Sequence, residues 1–119
     1  MSETKASEIR FYHLMRHRLE VAVMQIVSRC FERGWRVRVL CEDDAQAEAI
    51  AGYLWSASDR KFLPCGTKLD GRAQLQPIWL SAADENPNNA TVSLILNEAR
   101  PRSWHGFAMS CLLFDGNHP

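Results

Sequence analysis

The chain has 119 residues, 46% of them hydrophobic and 24% charged, which fits one domain with a real core and is too short for two. Its 14 Lys and Arg balance 14 Asp and Glu, so it lacks the basic surplus of a sequence-independent nucleic-acid binder. A local basic patch is not excluded by that balance.

Residues 1–7 are polar and expected to be loose. Residues 9–14, Ile-Arg-Phe-Tyr-His-Leu, mix β-favouring side chains and predict a first strand. Over residues 18–33 the apolar set Leu19, Val23, Ile26, Val27 and Cys30 recurs at helical spacing, and Gly34 is a fitting stop. Residues 36–41 predict a short strand with Val37, Val39 and Cys41 on one face. Asp43, with Gln46 three residues on, predicts a capped helix carrying Ala47, Ile50, Ala51 and Leu54 on its inward face. Strands are then predicted over residues 62–64, 77–81, 91–96 and 107–114. Turn-rich connections separate them, and Asn86-Pro87-Asn88-Asn89 is the strongest turn signal. The β-α-β-α opening predicts an α/β, Rossmann-like layered domain with a mostly parallel central sheet flanked by helices.

The four cysteines, Cys30, Cys41, Cys65 and Cys111, are widely spaced, with no C-x-x-C pair and no His at zinc-finger spacing. Three of them sit inside apolar runs, where a free thiol behaves as a small buried hydrophobe, and a reducing compartment is expected. The N-terminal stretch MSETKASEIRFY has no apolar signal core, and no run approaches the roughly 18 apolar residues of a membrane span. The expectation is a soluble, cytoplasmic, single-domain protein.

An open parallel sheet often carries a nucleotide site at its strand ends. The loop after the first strand, Met15-Arg16-His17-Arg18, holds no glycine, and neither dinucleotide nor P-loop fingerprint occurs anywhere. Glu42-Asp43-Asp44 reads as a magnesium or acid/base cluster, or more simply as helix capping; capping is favoured. Cys41 with His13 or His17 reads as a nucleophile and base, or as a core thiol beside chance histidines. His105 has no companion ligands in sequence, and Asp84-Glu85 reads as solvated loop. Arg16, His17, Arg18, Arg29, Arg33, Arg36 and Arg38 bias the first half towards positive charge. They are either a solvated face or a patch that attracts an acidic peptide or nucleic acid. Trp79 reads as core. Trp55 and Phe62 flank the polar connection of residues 56–61, a placement frequent for interface anchors.

The order Phe11-Tyr12, Arg36-Val37-Arg38-Val39-Leu40, Cys41-Glu42-Asp43, Leu54-Trp55, Phe62-Leu63-Pro64, Pro77-Ile78-Trp79-Leu80 and Leu113-Phe114-Asp115 resembles the chi subunits of bacterial DNA polymerase III holoenzyme. The resemblance covers nearly the whole chain. It implies a non-catalytic Rossmann-like protein without a nucleotide fingerprint, cofactor or metal. It also implies pairing with the psi subunit of the clamp loader, and binding of the acidic, Phe-ending C-terminal tail of single-stranded DNA-binding protein. A repair-type helicase is a further partner implied by the family. The partner-anchoring Trp and Phe of the family match Trp55 and Phe62. Family members continue past the Phe-Asp position with a basic, aromatic-bearing helix lining the acidic-tail pocket. This chain stops at Asp115-Gly116-Asn117-His118-Pro119, so either the sequence continues beyond Pro119 or the protein lacks that pocket, while psi-type pairing keeps its residues. Cys65 stands where the family often has His. The resulting expectation is a polymerase accessory subunit that acts by docking. The rival, a small nucleotide-binding or enzymatic α/β domain, rests on architecture alone.

Overall fold

The computed structural model describes residues 8–14, 19–57, 64–97, 99–101 and 106–115. In chain order they form β1 (Glu8–Leu14), α1 (Leu19–Glu32), β2 (Val37–Leu40), α2 (Asp44–Ala57) and β3 (Cys65–Gly66). A single 3-10 turn (Ala73–Leu75) leads into β4 (Ile78–Ser81), followed by β5 (Val92–Leu96) and β6 (Met109–Asp115). The strands make one six-stranded sheet in the order β1-β6-β5-β2-β4-β3. Every pairing is parallel, so the mostly parallel sheet expected from sequence is parallel throughout the described residues.

α1 forms because Leu19, Val23, Val27 and Cys30 make one buried stripe. It stops at Gly34, whose φ of 77° needs a residue without a Cβ. There the Trp35 N–H donates to the Cys30 carbonyl at 2.9 Å, and the Gly34 N–H to that of Phe31 at 3.0 Å. These two bonds are a Schellman closure. α2 starts on Asp43, whose Oδ1 accepts the Gln46 N–H at 2.8 Å. The Gln46 Oε1 returns to the Glu42 N–H at 2.8 Å, one residue before the cap. Its buried face is Ala47, Ile50, Ala51 and Leu54, small enough to lie close on the sheet.

Both crossovers, β1 to β2 and β2 to β3, step the same way along the strand order. Right-handed connections then put both helices on one face. That face holds the main core, with Val37, Val39, Ile78, Leu80, Leu94, Cys111 and Leu113 beneath the helices. On the opposite face lies a smaller cluster of Leu40, Ile95 and Ala99, with Leu112 packed against it. Val37, Val39 and Cys41 do share a face, but residues 38 and 40 are buried as well because both sides of β2 are covered.

The strand predicted over residues 62–64 is not found at Pro64, and Phe62 and Leu63 lie outside the described residues. The two-residue β3 that follows pairs with β4 in its place. The Asn86–Asn89 turn is as predicted and tightly fastened. Asn86 Oδ1 accepts the Ala90 N–H at 2.8 Å, and the buried Asn88 Nδ2 donates to the carbonyls of Gln76 at 2.8 Å and Val37 at 3.1 Å. All four cysteines are free and buried. Among the described residues, no helix is long and apolar enough to cross a membrane.

Candidate functional site

The C-terminal ends of β2 and β4 are where an α/β sheet of this kind would present a ligand crevice. A depression of about 370 Å³ lies there, bordered by Glu42, Asp84 and Arg100. The acidic run beside it is already used. Asp43 caps α2, and Asp44 forms an ion pair with Lys68. Burial pushes the Cys41 thiol up to about 12, so at neutral pH it is a protonated core thiol and not a nucleophile. No group of three or more His, Cys, Asp or Glu among the described residues is placed to hold a metal ion.

Trp55 sits in the last turn of α2. One helical step turns Leu54 fully into the core, while Trp55 is 49% exposed. The same turn carries Ser56, whose hydroxyl donates to the Gly52 carbonyl at 3.0 Å. Trp55 is therefore a large aromatic held at the surface by a helix whose opposite side is locked down. Phe62, its expected companion, lies outside the described residues, so the two are not seen together. His105 and Trp104 lie outside them too, as do Arg16, His17 and Arg18.

The remaining arginines divide sharply. Arg29 and Arg33 are exposed at the end of α1. Arg36 donates to the carbonyls of Gln74 at 2.9 Å and Asn88 at 3.2 Å, so it braces two loops. Arg38 corrects the expectation that it belongs to a surface patch: it is 3% exposed. Its Nε donates to Ser93 Oγ at 2.8 Å, and its Nη1 to Asp84 Oδ1 at 3.1 Å and the Glu85 carbonyl at 2.9 Å. The guanidinium also lies over the Phe107 ring, 4.6 Å from its centroid. Asp84 and Glu85 are exposed loop residues, as read from sequence, yet each also reaches back to the fold through one of these contacts. Glu85 Oε2 accepts the Trp79 indole N–H at 3.0 Å, and Trp79 itself is buried as expected.

Trp35, which sequence reasoning passed over, is 40% exposed. The Arg33 guanidinium lies 5.2 Å from its ring centroid. Its signal was its place directly after the helix-ending Gly34, outside the apolar stripe of α1.

A family model described as DNA polymerase III chi subunit, HolC, matches residues 6–119. A protein of Rickettsia prowazekii (strain Madrid E), named as a probable DNA polymerase III subunit chi, is 29% identical over 90 residues. The match takes in 76% of this chain and 54% of that protein, so the chain spans about half the length of this curated relative.

Proposed function

Because this chain belongs to the DNA polymerase III chi subunit family, we propose that it is a non-catalytic accessory subunit of the replicative polymerase. In this reading it acts in the cytoplasm, docks the psi subunit of the clamp loader, and links it to single-stranded DNA-binding protein. The observation that carries the reading is Trp55, half exposed beside a fully buried Leu54. Tryptophans fixed on rigid elements and ringed by smaller side chains are the residues most often found to dominate an interface. Phe62 joins it as the second anchor implied by the family.

Titration calorimetry of the purified chain with its cognate psi subunit tests the pairing. Trp55→Ala and Phe62→Ala are each expected to weaken binding by about 2 kcal/mol, roughly thirtyfold, with the melting temperature little changed. If both folded variants bind psi like the parent chain, the docking surface is elsewhere and this reading fails. For the second link, single-stranded DNA-binding protein should be retained on the immobilised chain, and its form lacking the acidic tail should not. Equal retention of both would refute a tail-mediated bridge.

A further inference from the structure

β1 lies at one edge of the sheet, with β6 as its strand neighbour among the described residues. Alternate residues of such a strand turn their backbone groups to opposite sides. The Glu8 N–H donates to the Ala108 carbonyl at 3.1 Å, so Glu8 and Arg10 turn theirs towards β6. Ile9 therefore presents its N–H and C=O to the outer edge. The side chains alternate through the sheet instead. Glu8 stands beside Met109 and Arg10 beside Cys111 on the α1 face, whereas Ile9 stands beside Ser110 on the opposite face. All three side chains are exposed, the large apolar Ile9 by 43%.

Charges on an edge strand ordinarily keep other chains from joining it. Here the two charges are opposite in sign and flank Ile9, which reverses that effect for a second copy of β1. When two such strands meet antiparallel about a two-fold axis at Ile9, position 8 of each faces position 10 of the other. Each Glu8 then meets the Arg10 of the other copy on the α1 face, and the two Ile9 side chains meet on the opposite face. The Ile9 pair exchanges both backbone hydrogen bonds across the axis, and the flanking pairs are those whose side chains approach most closely. Opposite charges stabilise such pairs and like charges destabilise them. Glu8 and Arg10 already form an ion pair within one strand, so pairing merges two ion pairs and breaks neither. Moving the axis to position 8 or 10 would set Glu8 against Glu8 or Arg10 against Arg10, so the charges also fix the register.

We propose that β1 is a self-association edge, through which two copies of this chain form an antiparallel two-fold dimer with their sheets joined into one. A strand of another protein would need only a matching order of charges. The arrangement about Ile9 matches itself, which is what an isologous contact between identical copies requires. The paired segment is short, so the dimer is a weak one that forms with rising concentration. β1 and β3 lie at opposite ends of the strand order, and α2, which carries Trp55, packs on β3 and β4. The pairing uses neither Trp55 nor Phe62, and its failure would leave the proposed psi pairing untouched.

Sedimentation equilibrium of the full chain at low salt, at concentrations up to about 0.5 mM, provides the test. The average mass should rise with concentration towards that of a dimer, and added salt should lower it. Glu8→Arg and Arg10→Glu should each weaken self-association by about tenfold, because each sets like charges opposite one another. An equal mixture of these two variants should associate again, since opposite charges then face each other across the axis. The exchanged variant Glu8→Arg/Arg10→Glu should associate like the parent chain, as should Trp55→Ala. Ile9→Thr keeps a β-branched side chain for the strand, and should weaken association if either charge change lowers the melting temperature. The proposal is overturned by a chain that stays monomeric throughout, or by association indifferent to both single charge changes. A mixture no more associated than either variant alone also overturns it.

Discussion

Arg38 occupies the middle of the sheet and gathers Ser93, Asp84, the Glu85 carbonyl and the Phe107 ring around one guanidinium. Burial draws its pKa down, and the hydrogen bond and charge of Asp84 draw it back up. Arg38→Ala removes the cation from all of these partners at once and is expected to cost about 3 kcal/mol in urea unfolding. A loss of under about 0.5 kcal/mol would show that water replaces the network. The thiols make a second prediction at this scale. Burial pushes Cys41 up to about 12, and Cys65 and Cys111 to about 11, from an ordinary value of 9.0. A raised folded-state pKa gives stability that is complete below the unfolded value and lost as pH rises towards the folded one. Stability should therefore be flat in this respect below pH 9 and fall between about 9 and 12. Urea midpoints across that range should decline less steeply for Cys41→Val than for the parent chain. The burial of three of the four cysteines was legible in the apolar runs that hold them. Arg38 was not, because an arginine in a short strand reads as surface until its distant partners are folded onto it.

The two helices are punctuated by contacts a few residues long, and these were readable before any tertiary structure was known. Gly34 ends α1 with a positive φ, and no atom lies within 4 Å of where its Cβ would be. Gly34→Ala therefore tests backbone conformation without a clash, and should destabilise by about 1 kcal/mol. Asp43→Ala removes the side-chain acceptor for the Gln46 N–H and should cost about 1 kcal/mol, read as a lowered urea midpoint with an unchanged slope. If Asp43→Ala is neutral, the run Glu42-Asp43-Asp44 has some role other than capping. β3 was misplaced for a physical reason. Its two residues become a strand only through β4, and Pro64 has no N–H to give a ladder. Trp55 was legible as an element-end aromatic.

In the complete sheet, β2 and β5 lie at the centre and β1 and β3 at the edges. Amide exchange should be slowest in β2 and β5, which open only with the whole domain, and faster in β3 with its two residues. Comparable protection of β3 and β2 would mean that the edge is secured by contacts beyond its pairing with β4. The parallel character of the sheet was implied by the β-α-β-α opening, since a strand that returns in the same direction needs a crossover. The strand order was not implied, because residue pattern marks which segments are strands and not which ones become neighbours. That order has a consequence for biosynthesis. Of the described strands, β1 is the first to leave the ribosome, yet its strand partner is β6, the last of them to emerge. Until then its hydrogen-bonding groups are open to other nascent chains. A premature stop codon ahead of Met109 would leave β1 without a strand to join and β5 with a bare edge. Such fragments should be substrates for chaperones and proteases even though both helices and the centre of the sheet have been translated.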